Sequence, residues 1–74
     1  ISYSLRVGGQ VTMRIYDVAG RLVKTLIDGT KDAGPHQHTW DGLNNLGNPV
    51  ASGIYFYRMD ADGFSETKKM ILLK

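Results

Sequence analysis

The chain of 74 residues contains no cysteine, two prolines and two histidines. Without cysteine there is no disulfide staple and no thiolate metal site. The charge excess of one sign is slight: nine Lys and Arg against seven Asp and Glu give a net charge of +2. That is far from the basic stripe of a nucleic-acid binder, so no nucleic-acid partner is expected. No apolar run approaches the ~20 residues that a membrane-spanning helix needs, so direct membrane insertion is not expected either. The opening Ile1-Ser2-Tyr3-Ser4-Leu5 alternates apolar and polar, unlike the basic and then apolar start of a signal peptide.

Length limits the rest. A chain this short is one domain, 1–74. Folding would reduce about 12,000 Å² of accessible surface to about 4,500 Å². With roughly 60% of the buried area apolar, that burial is worth on the order of 110 kcal/mol. Ordering the chain at ~1.5 kcal/mol per residue costs about the same. A balance near zero leaves no surplus for a deep catalytic cleft.

What the sequence does have is glycine, nine in all, at 8, 9, 20, 29, 34, 42, 47, 53 and 63. Between the glycines lie short segments of strand character. Ile1, Tyr3 and Leu5 alternate with Ser2, Ser4 and Arg6, and Val11, Met13 and Ile15 alternate with Thr12, Arg14 and Tyr16. Two such strands around Val7-Gly8-Gly9-Gln10 predict a hairpin. Asp17-Val18-Ala19-Gly20 is a turn. Arg21 to Asp28 fits a helix or a strand, and Val23, Thr25 and Ile27 favour the strand. Gly29 to Pro35 reads as a loop and His36 to Trp40 as a short strand. Asp41 to Ser52 is dense in turn residues. Gly53 to Ala61 is the strongest strand, Asp62-Gly63 the best short hairpin signal, and Phe64 to Lys74 the last strand. Six strands, or seven with one preceding Ile1, predict an all-β fold: an immunoglobulin-like antiparallel β-sandwich.

The sequence offers no catalytic constellation, and neither an enzyme nor a cofactor is expected. His36 and His38, two apart on one strand, would share a face, but no metal-ligand spacing accompanies them. Asp41, Asn44, Asn45 and Asn48 form an oxygen-rich loop that could attract calcium, yet these are also ordinary turn residues and their spacing is not that of an EF-hand. The seven acids behave as turn formers and solubilising charges rather than a glycosidase pair. Among the aromatics, Trp40, Tyr55 and Tyr57 are expected in the core. Their alternation sends Ile54, Phe56 and Arg58 outward, as a candidate interface. An exposed sugar-stacking platform would come from Tyr3, Tyr16 or Phe64. Lys68 and Lys69 read as a recognition mark or as guards of an edge strand.

Three runs resemble a known family: Tyr16-Asp17-Val18-Ala19-Gly20-Arg21-Leu22-Val23-Lys24-Thr25-Leu26; Trp40-Asp41-Gly42 followed by Gly47 to Met59; and the close Lys68-Lys69-Met70-Ile71-Leu72-Leu73-Lys74. Together they are similar to the small immunoglobulin-like domains at the C-termini of secreted bacterial proteins. That group includes the Ig-like domain of the flagellar hook-capping protein and the sorting domains of type IX secretion. The resemblance implies a non-catalytic, secreted or cell-surface module acting by protein–protein recognition. Its motif positions here are Asp17, Gly20 and Arg21; Trp40, Asp41 and Gly42; Gly53 and Tyr55; and the recognition run Lys68, Lys69, Met70, Ile71, Leu72, Leu73 and Lys74. The terminal run points to sorting and surface attachment, with the secretion machinery as partner. The alternatives are a structural module packing on a neighbouring domain or subunit in a filament or hook cap, and a carbohydrate-binding accessory domain. The family usually carries an Asn-Pro-rich segment before the Ile-Ser-Tyr-Ser-Leu strand. The chain is therefore expected to be a piece of a longer protein, open to self-association by strand pairing.

Overall fold

A computed structural model describes residues 1–61 and 63–73. Its six strands are β1 (Ser2–Leu5), β2 (Gly9–Tyr16), β3 (Leu22–Lys31), β4 (Gly34–Gln37), β5 (Gly53–Ala61) and β6 (Phe64–Leu72), with no helix among the described residues. All pairings are antiparallel. One sheet has four strands in the order β3-β2-β5-β6, and the other has two, β1-β4. The fold is the expected immunoglobulin-like sandwich.

The core follows from strand alternation. Val11, Met13 and Ile15 of β2 are 1%, 0% and 0% exposed, and Tyr55 and Met59 of β5, Ile27 of β3 and Leu5 of β1 are also buried; Leu5, Val11, Met13, Ile27 and Met59 form one cluster. Ile1, Tyr3, Leu26, Tyr57 and Ala61 pack against that cluster. Tyr55 is in the core as expected, whereas Tyr57 and Trp40 are only half-buried.

Four local expectations are corrected. First, β1 and β2 do not form a hairpin: β1 pairs with β4, Tyr3 opposite His36, and β2 lies in the other sheet. Neither Gly8 nor Gly9 has positive φ. A Cβ on Gly8 would stand 3.2 Å from the Lys31 carbonyl oxygen and 3.3 Å from the Ala33 nitrogen. Gly8 is therefore small because the chain crosses between sheets against the β3–β4 junction. Second, Arg21 to Asp28 is strand, but β3 continues to Lys31 through what reads as loop, because Gly29, Thr30 and Lys31 pair with Val11, Gln10 and Gly9. Third, Trp40 lies beyond β4, which ends at Gln37. Fourth, although Gly53 reads from the sequence as a residue chosen for close approach, a Cβ there would meet nothing within 4 Å; its glycine is required by φ +151°, which a side chain would strain. Asp62, of the Asp62-Gly63 hairpin signal, lies outside the described residues, but the hairpin forms, with Ala61 opposite Phe64.

Two strands cannot cover four. The accessible surface is 4917 Å², where a compact chain of this mass would expose about 4,500 Å². At β6, Phe64 to Lys69 are all exposed although every second one faces the sandwich interior. Between the sheets there an open cleft of ≈680 Å³ is lined by Tyr3, His36, Tyr57, Phe64, Glu66 and Lys68.

Candidate functional site

The motif residues build turns. Asp17 accepts hydrogen bonds at Oδ1 from the Ala19 and Arg21 amides (3.0 and 2.9 Å) and at Oδ2 from Arg21 Nε (2.9 Å). The Gly20 amide donates to the Asp17 carbonyl at 3.0 Å, and the Asp17 amide to that of Arg21 at 3.0 Å. The turn is thus locked by one carboxylate, and those bonds, the Arg21 amide's foremost, hold the Asp17 carboxyl below the usual range.

Trp40, Asp41 and Gly42 anchor the long connection between β4 and β5. Trp40 Nε1 donates to the Leu43 carbonyl at 2.9 Å, and its ring meets the Tyr55 ring edge-on, centroids 5.1 Å apart. The Leu43 amide donates to Asp41 Oδ1 at 3.1 Å, Gly42 is buried, and the Val50 amide donates to its carbonyl at 3.0 Å. Tyr55 Oη donates to the Ala51 carbonyl four residues back at 2.6 Å, a tyrosine corner in the sense of immunoglobulin domains.

The oxygen-rich loop is occupied with its own backbone. Asn44 Oδ1 accepts from the Leu46 and Asn48 amides, both at 3.0 Å, and Asn45 Oδ1 from the Thr25 amide at 3.0 Å. The Asn45 amide donates to the Val23 carbonyl at 3.0 Å, so one asparagine clasps the outer edge of β3. Sequence reasoning noticed Asn45 only as a turn residue and an oxygen donor. No group of three His, Asp or Glu among the described residues is placed to hold a metal ion. His36 bonds the Asp32 carbonyl through Nε2 at 2.7 Å and stacks on Tyr3, centroids 5.2 Å apart. The His38 amide donates to the Ile1 carbonyl at 2.8 Å.

Of the three aromatics proposed for sugar stacking, Tyr3 and Phe64 line the same open cleft between the sheets, beside His36 and Tyr57, whereas Tyr16 lies on the outer face of β2. The outer face of the large sheet does gather a patch. Ile54 stands opposite Ile71, Phe56 opposite both Tyr16 and Lys69, and Tyr16 opposite Leu22. Ile54, Ile71 and Leu22 are 44%, 62% and 49% exposed, and Phe56 and Tyr16 are half-buried. Arg58, next along β5 on this face, is exposed and donates through Nε to Asp60 Oδ1 at 3.1 Å. Asp60 is held below the usual carboxylate range by the Ser65 hydroxyl first and then Arg58.

The terminal recognition run is divided by strand alternation. Lys68 and Met70 share the inner face with Glu66, and Lys68 Nζ lies 3.3 Å from Glu66 Oε1. Lys69 and Ile71 face outward, Leu73 is 84% exposed beyond the strand, and Lys74 lies outside the described residues.

A two-layer antiparallel sandwich with a tyrosine corner, self-satisfied turn motifs and an apolar outer patch defines an immunoglobulin-like module whose chemistry is that of a surface. The FlgD Ig-like domain family matches residues 6–63, and the chain belongs to that family. The basal-body rod modification protein FlgD of Salmonella typhimurium is 46% identical over 46 residues, covering 62% of this chain and 20% of the relative. The protein of the same name from Salmonella typhi matches to the same extent. The chain thus spans about a fifth of the length of these curated relatives. No solved structure matches it.

Proposed function

We propose that this chain is a non-catalytic assembly module of an extracellular bacterial structure, which docks onto a neighbouring domain or subunit through the outer apolar end of its large sheet. The observation that carries this is the contiguous patch of Leu22, Tyr16, Phe56, Ile54 and Ile71 on an otherwise polar outer face. Apolar residues placed side by side on adjacent strands, rather than scattered, mark an interaction surface. The relatives are named for modification of the basal-body rod, and that similarity supports a neighbouring subunit of an assembly as the partner. The comparisons favour this assembly reading over secretion sorting, which rests on the terminal run alone.

The test is site-specific photocrosslinking in the parent protein in its own cells, with a photoreactive phenylalanine at position 56. A crosslink to a discrete protein neighbour is expected there, and none at position 46, whose leucine is 85% exposed in a loop. Equal labelling at both positions, or none at 56, would remove the patch as a contact. With the photoreactive residue kept at position 56, Leu22→Lys with Ile54→Lys should abolish the crosslinked species while the isolated domain keeps its circular dichroism.

A further inference from the structure

We propose that β6 is a self-complementary edge, and that two copies of this chain pair β6 to β6, antiparallel, about a two-fold axis at Thr67. The partner is a second copy, and the surface is distinct from the outer patch.

The backbone supplies the first argument. Only two residues separate Ala61 from Phe64, so that pair closes the hairpin by exchanging both its hydrogen bonds, and every second pair along the ladder does likewise. The N–H and C=O groups of Ser65, Thr67, Lys69 and Ile71 therefore point away from β5, along a strand paired on one side only. The nine β5–β6 pairs run without a register shift, and β6 contains no proline. This edge thus lacks a bulge or proline, and the guards it carries, Glu66, Lys68 and Lys69, are charges that leave the backbone ladder unbroken.

The side chains supply the second argument. With Thr67 opposite Thr67 of the second copy, Glu66 faces Lys68, Lys68 faces Glu66, Ser65 faces Lys69 and Phe64 faces Met70. The Glu66–Lys68 and Phe64–Met70 pairs fall at the positions without backbone bonds, where side chains stand closest. The two neighbouring symmetric registers are penalised: one sets Glu66 against Glu66, the other Lys68 against Lys68. Registers centred between residues pair an outward-pointing backbone with an inward-pointing one and form no ladder. The charge order therefore selects one register, as a specified pairing requires.

Sedimentation equilibrium of the 74-residue chain over a wide concentration range tests this. Dimerisation is expected, Lys68→Glu should weaken it by about tenfold or more, and Glu66→Lys with Lys68→Glu should restore it to within about threefold by exchanging the cross-strand charges. Thr67→Cys, the only thiol in the chain, should oxidise to a disulfide-linked dimer, and Leu46→Cys should not. Ile54→Lys with Phe56→Lys should leave the dimer intact, which separates failure of this pairing from failure of the outer-patch reading. A monomer at all concentrations, a dimer indifferent to Lys68→Glu, or a charge exchange that fails to rescue a folded protein would overturn the proposal.

Discussion

The large sheet ends in two strands of similar length, ten and nine residues, that share direction of pairing but not environment. On one side β3 is bent by two register shifts against β2, between Met13 and Arg14 and between Ile15 and Tyr16, and Asn45 binds its outer backbone at Val23 and Thr25. On the other side β6 pairs nine residues without a register shift, carries exposed residues on both faces, and has no such clasp among the described residues. Bulges and capping side chains are how a sheet keeps an edge from recruiting another strand. The sequence places both devices at β3 and guards β6 only by the charges of Glu66, Lys68 and Lys69, which an oppositely charged edge can satisfy.

The largest effect should come from comparing the two sides of the core. Met13→Ala, at a position 0% exposed, should cost about 2–5 kcal/mol, whereas Met70→Ala, on the half-covered inner face of β6, should cost about 1 kcal/mol or less. Denaturant unfolding measures both, and equal costs would mean that β6 is as well covered as β2. Next are prolines at the two edges. Thr25→Pro removes an amide bonded to Asn45 Oδ1 and should destabilise by about 1–3 kcal/mol. Thr67→Pro removes an outward-pointing amide and should leave the monomer close to wild type, as edge strands allow. A Thr67→Pro variant as damaged as Thr25→Pro would erase the distinction between the edges.

The smallest effect is that of acid. The Asp17 and Asp60 carboxyls are both held below their ordinary range, Asp17 by amide donors and Arg21, Asp60 by Ser65 and Arg58. A carboxyl whose folded pKa is depressed stabilises the fold above its unfolded value of about 3.9, and that contribution is lost as the pH falls through the folded value. The melting temperature should therefore be flat above about pH 5 and decline below about pH 4. Asp17→Asn should lessen that decline, and an unchanged acid profile in the variant would show that the turn carboxylate is not linked to folding.

Much of this was legible in the residues, and what was not has a common cause. Gly53–Ala61 announces itself by alternation and aromatic content, and the burial of Tyr55 by the same alternation, because both are local. The β-branched residues of Arg21–Asp28 settle strand against helix for the same reason. The partner of β1 is not local: Gly8-Gly9 suits a hairpin as well as a crossing, and only the packing of Gly8 on Lys31 and Ala33 decides it. Asn45 reaches a strand 20 residues earlier in the chain, so its spacing reveals a turn and conceals the clasp. The outward placement of Ile54 and Phe56 follows from period two, but their union with Leu22 and Tyr16 needs the register of three strands. The alternating order Glu66-Thr67-Lys68 acquires meaning only once β6 is known to be an edge.

The contrast between the edges is tested most directly by hydrogen exchange of individual amides at several protein concentrations. The Thr25 amide, bonded to Asn45, should be protected to the same degree throughout, while those of Ser65, Thr67 and Lys69 should exchange freely when dilute and become protected as concentration rises. If Thr67 and Lys69 exchange freely at every concentration, β6 is an edge that nothing in this chain closes; if they are as protected as Thr25 when dilute, the edge was never open.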